Sequence, residues 1–223
     1  MNLKNRIITA LPAHSACFSN INGRVLYVRD MKPINYGVAT IDSCPGGVAA
    51  VELNNPLQIA IDFDAFPDNA LPLGVGSYEK QCECVLFPEG TDEKEWVLFI
   101  ETKYVDNLQN AQKKEYGYPQ LMITQIKKTV EYFRASHILS QDKRVHAIVS
   151  YPTLEEGFES WCFPVTYKDG TTESVEDILQ NDKIHIRATN CALIKSVKRL
   201  KLGWYISICT FFSYYLWYFC KQS

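Results

Sequence analysis

Three ionisable residues stand where charge is costly. In WVLFIETKYV, residues 96–105, Glu101 and Lys103 interrupt a run that is otherwise largely apolar, and Glu83 lies upstream in KQCECVLF, residues 80–87. In an extended strand successive side chains alternate, so Trp96, Leu98 and Ile100 share one face while Val97, Phe99, Glu101, Lys103 and Val105 share the other. Two charges therefore keep company with residues suited to a core. An ion taken out of water costs several kcal/mol, roughly, unless it is paired, hydrogen-bonded or metal-bound. Either a structural ion pair or an active site satisfies that condition.

The two segments flank PEGTDEKE, a polar stretch suited to a hairpin turn. A turn centred near Thr91–Asp92 sets Val85 against Phe99 and Glu83 against Glu101. Like charges directly opposite one another destabilise a sheet, whereas two carboxylates at that spacing suit a divalent cation. Lys103 lies two residues along on the same face. The alternative is a solvated strand end on which Glu83 and Lys103 form an ordinary surface salt bridge, worth about 0.2–1 kcal/mol.

The neighbouring elements that must hold this hairpin are legible in outline. Residues 1–11 read as a short helix ended by PAHS, and 24–30, 36–41 and 47–53 as strands separated by Pro33 and the Pro45–Gly47 cluster. PDNALPLGVG, 67–76, reads as an irregular loop. After the hairpin, Leu121, Ile126, Val130 and Phe133 form the apolar stripe of a helix over 119–136, with Pro119 in its first turn. A buried strand at 144–152, a helix at 173–180 capped by Thr172 or Ser174, and a strand at 183–189 complete the order.

The acidic residue 83, the Glu101-Thr102-Lys103 triplet on a hairpin, and the helix and strand that follow resemble the PD-(D/E)XK nuclease superfamily. The resemblance covers about residues 75–150 and implies an α/β fold, with a restriction-endonuclease-like core whose mixed β-sheet is flanked by helices. It implies Mg2+ or Mn2+ as cofactor and DNA as the partner, with Glu83 and Glu101 as metal ligands and Thr102 offering its backbone carbonyl. Lys103 would position the attacking water. Gln125 is the first choice for the polar residue such enzymes carry on the following helix, ahead of Gln120 and Lys128. The usual aspartate is a glutamate here, at position 83. No first-helix glutamate is assigned; of Glu52, Asp62 and Asp64, Asp62 in IAIDFDAF is preferred as a further ligand.

Composition sets limits on these expectations. With 223 residues, 47% hydrophobic and 22% charged, the chain can build one domain over 1–200 with a sizeable core. A net charge of -2 leaves nucleic-acid contact to local basic patches. Cysteines 17, 44, 82, 84, 162, 191, 209 and 220 fit neither paired zinc knuckles nor a disulfide framework. They read as reduced thiols, with Cys82 and Cys84 packed on one face of a strand. His14, His137, His146 and His185 lack ligand spacing. The lysines of NAQKKEYGYP and QIKKTVEYFR read as solvated helix faces. No Walker loop, nucleophile elbow or dinucleotide fingerprint occurs.

The N-terminus has no secretory signal. Residues 203–220 carry no charge and follow Lys195, Lys198, Arg199 and Lys201, so a membrane tail anchor, an altered terminus and a buried hairpin all remain open for them. The reading is thus a cytoplasmic metal-dependent DNA nuclease, with membrane association through the tail and a homodimer left open. Its competitors are an inactive binding module on the same fold and a membrane-tethered scaffold.

Overall fold

A computed structural model of the chain describes residues 1–30, 38–41, 49–113, 115–154 and 157–203. In chain order, helix α1 (Leu3–Ala10) precedes strands β1 (Phe18–Ile21), β2 (Val25–Asp30), β3 (Val38–Ile41), β4 (Val51–Asn54) and β5 (Ile61–Ala65). A small hairpin, β6 (Pro72–Gly74) and β7 (Ser77–Tyr78), leads into β8 (Cys84–Pro88) and β9 (Leu98–Thr102). Helices α2 (Leu108–Ala111) and α3 (Gln120–Ala135) come before β10 (Val145–Ser150), α4 (Glu159–Cys162), β11 (Val165–Thr166), β12 (Thr172–Glu173) and α5 (Val175–Asp182). Strands β13 (Ile184–Ala188), β14 (Cys191–Ser196) and β15 (Arg199–Leu202) follow.

The architecture is mixed α/β. The larger sheet runs β1-β5-β8-β9-β10-β13, antiparallel from β1 to β9 and parallel from β9 to β13. A parallel neighbour requires a crossover, and α3 lies within the connection from β9 to β10 and packs on both strands. The alternation expected of residues 96–105 is present. Val97 and Phe99 face the core built with Met122, Ile126 and Phe133 of α3 and Leu3 and Ile7 of α1. Trp96, Leu98 and Ile100 belong to a second core.

The mixed sheet flanked by helices is present, and another sheet packs on it as well to form the second core. A five-stranded sheet, β15-β14-β4-β2-β3, contributes Leu26, Val28, Val51, Leu53, Ala192 and Ile194 to it. These residues alternate along their strands, so each strand has one apolar face to bury, and a sheet-on-sheet contact buries it. Chain order hides the arrangement, since β4 finds its parallel partner only at β14.

Helix α5 is capped by Ser174 and Asp177 in a reciprocal capping box, one of the two caps anticipated. Among the described residues no helix is long and apolar enough to cross a membrane. The uncharged run at 203–220 lies, after Gly203, outside the described residues, as do Cys44, Cys209 and Cys220.

Phe99 is fully buried and packs edge-on against Phe133 of α3, their centroids 5.5 Å apart. Phe99→Ala is expected to lower unfolding free energy by about 3–5 kcal/mol, read from the urea midpoint at unchanged m-value.

Candidate functional site

The hairpin register is the one inferred from turn symmetry: Val85 pairs with Phe99 and Cys84 with Ile100. Glu83 stands one step outside the ladder, its N–H donating to the Ile100 carbonyl at 3.0 Å. Here the chain bends. Cys82 is buried in the helix-side core and Cys84 in the core between the sheets, so the two thiols occupy opposite faces rather than one. The hydroxyl of Thr129, on α3, accepts the Cys82 N–H at 2.9 Å and braces the bend.

The bend directs Glu83 toward the residues at the end of β9. Lys103 Nζ lies 2.9 Å from Glu83 Oε1 and 2.6 Å from Glu101 Oε1. Both carboxylates thus contact one ammonium and cannot be farther apart than these two contacts laid end to end. Glu101 is completely buried, and the Glu83 and Lys103 side chains are largely so. A solvated surface bridge does not describe this triad. Burial alone would pull the Lys103 ammonium down, but Glu101 and then Glu83 outweigh it and hold the group well above the ordinary lysine value.

The backbone beyond Glu101 is equally constrained. Lys103 N–H donates to the Ser150 carbonyl at 3.0 Å. Asn190 accepts the Ser150 hydroxyl at 2.7 Å and the Tyr151 N–H at 3.1 Å, and returns a bond to the Tyr151 carbonyl. Thr102 is buried opposite Ser150.

Glu83 and Lys103 open onto a cleft of about 650 Å³ that Gln125 and Leu121 of α3 line from one side and Phe66, Tyr78 and Gln81 from the other. Gln125 is brought to the site as expected, its Nε2 donating to the Gln81 carbonyl at 2.8 Å. Gln120 and Lys128 do not line the cleft, and Lys128 pairs with Glu131 on an exposed face. Gln81 escaped the sequence reading, as did the whole wall at 66–81. Its amide holds the Pro67 carbonyl and the Ala70 N–H, so the apparently irregular loop is tied back on itself.

Asp62 is not brought to the site. It faces Phe87 across β5 and β8, four residues from Glu83 or about 13 Å along a strand, and binds Lys4 of α1 at 3.0 Å. Asp64, opposite Val85, is nearer but fully buried with its Oδ2 2.7 Å from His14 Nδ1. Burial raises the Asp64 carboxyl, and His14 only partly offsets it. Glu52 belongs to the second sheet. Strand pairing also places His146 beside His185, with Nδ1 atoms 3.1 Å apart, and burial followed by this neighbour pushes His146 down to about 4. Linear spacing gave no sign of this pair.

Among the described residues no group of three His, Cys, Asp or Glu side chains is placed to hold a metal. Glu83 and Glu101 are the two carboxylates here that could hold a cation, and the Lys103 ammonium stands against both. The chain matches no protein-family model, no curated protein and no solved structure.

Removing Lys103 leaves Glu101 buried without its cation, so Lys103→Met is expected to cost about 3 kcal/mol at neutral pH. Since the folded-state ammonium titrates above the unfolded one, its contribution is complete below the ordinary lysine range and is lost as pH rises through the folded value. The gap between parent and variant in urea unfolding should therefore close in strongly alkaline solution.

Proposed function

We infer that the chain is a metal-dependent nuclease that hydrolyses DNA phosphodiester bonds at Glu83, Glu101 and Lys103. The observation that carries this reading is the placement of two carboxylates against one ammonium, with Glu83 and Lys103 lining a cleft and Glu101 buried behind them. The order of antiparallel β5, β8 and β9, then α3, then β10 parallel to β9 supports a restriction-endonuclease-like core.

Glu83 and Glu101 would hold Mg2+ or Mn2+, with the Thr102 carbonyl as a further oxygen donor; Asp62, bound to Lys4, is not part of the set. A divalent cation there supplies charge stabilisation to the phosphate and lowers the pKa of water. With a cation holding the two carboxylates, Lys103 would be released to donate to the attacking water and a phosphate oxygen, while Gln125 holds the cleft wall through Gln81. In the reaction a water oxygen bonds to phosphorus as the ester P–O bond breaks. The water proton passes to solvent, and the departing oxygen takes one up.

The competing reading is a binding module on the same fold, favoured by the ammonium that already joins both carboxylates. Titration of Mn2+ into the full chain and into Glu101→Gln, with DNA cleavage followed in the same buffers, separates the two. The nuclease reading expects binding and cutting in the parent and a cleavage loss of more than about a hundredfold in the variant. Cleavage that survives in Glu101→Gln, or its absence from the parent, sinks the reading.

A further inference from the structure

The β6–β7 hairpin exposes side chains that proteins usually cover. Leu73 is 58%, Val75 108% and Tyr78 46% exposed, all within six residues of one hairpin, and Tyr78 lines the cleft. Isolated exposed apolar residues are ordinary, but three on one short hairpin that runs into a polar cleft through Tyr78 suit a contact element. The hairpin is held firmly at its base: Leu71 is fully buried, Glu79 N–H donates to the Leu71 carbonyl at 2.8 Å, and the Tyr132 hydroxyl of α3 donates to the Pro72 carbonyl at 3.0 Å. Its tip stands clear. A Cβ placed on Gly74 or Gly76 would meet nothing within 4 Å, and Gly76 has the positive φ, 69°, that the tight reversal requires.

Tyr78 belongs to both features: it pairs with Pro72 in the hairpin and lines the cleft with Glu83, Lys103 and Gln125. We propose that the hairpin is an apolar wedge that stacks on unpaired bases, so that the site takes DNA strands with splayed or single-stranded ends in preference to intact duplex. This rests on the nuclease reading and specifies its substrate. Base faces are flat and apolar and stack on aromatic or aliphatic side chains irrespective of sequence. A strand whose phosphate reaches Lys103 has its neighbouring bases beside Tyr78, whereas a fully paired duplex keeps those faces covered. The cleft sets Asp68, Glu79 and Glu83 against Lys80 and Lys103, so a bound divalent cation would favour entry of the phosphate backbone.

The test compares cleavage by the full chain, with Mn2+, of a forked duplex and a blunt duplex of the same sequence, alongside Val75→Asp and Leu73→Asp. Both substituted positions are exposed, so the fold does not depend on them. The expected result is faster cutting of the fork by the parent, a drop of about tenfold on the fork in each variant, and an unchanged rate on the blunt duplex. Equal parental rates on the two substrates would overturn the wedge, as would a fork preference that survives in both variants, while leaving the nuclease reading intact. A parental dimer that Val75→Asp splits would assign the hairpin to a second copy of the chain and also overturn it. Failure of the parent to cut either substrate removes the nuclease reading itself, and the wedge with it.

Discussion

The ammonium of Lys103 is the contact on which the site depends. Glu101 is completely buried at the end of the central strand, and a carboxylate so placed needs a cation beside it. Lys103 is the next residue on that face and reaches it, but only because the end of β9 is held by Ser150 and, through Ser150, by Asn190. Glu83 completes the arrangement from a bend outside the regular ladder. Three residues at the ends of two neighbouring strands thus rely on side chains that hold the backbone, from the Thr129 hydroxyl to the Asn190 amide.

How the sheet is covered explains why such a triad can persist. Phe99 and Val97 lie against α3, and Leu98 and Ile100 against the second sheet, so β9 has no solvated face along most of its length. A strand buried on both sides is rigid. Just past its end Lys103 and Glu83 reach the cleft, and they link the buried Glu101 to it. Gln125, one turn into α3, joins the opposite cleft wall to the same helix that packs on β9.

The sequence made the central elements readable because their signals are local. The strict alternation of residues 96–105 identified both faces of β9, and the symmetry of a polar turn was enough to pair Val85 with Phe99. The stripe Leu121, Ile126, Val130 and Phe133 located α3. What escaped was non-local or irregular. The bend at Glu83 puts Cys82 and Cys84 on opposite faces, which period-two reasoning cannot anticipate. Asp62 looked suitable because it alternates with apolar neighbours, but alternation identifies a face and not a position along the strand, and Lys4 on α1 takes that carboxylate. The histidine pair and the second sheet arise from pairings between residues far apart in the chain.

The late pairing of β14 with β4 bears on how the chain is made. A ribosome releases β9 long before β14, so Leu98, Ile100 and Leu86 are exposed to water while the strands that complete their cover are still being synthesised. At roughly 5–20 residues per second that interval lasts several seconds. During it the nascent chain carries an incompletely covered apolar sheet face, which is the kind of surface that chaperones hold and neighbouring chains adhere to. Trp96, whose indole N–H donates to the Ser196 carbonyl at 3.0 Å, fastens the β14–β15 hairpin once it arrives and ends the exposure.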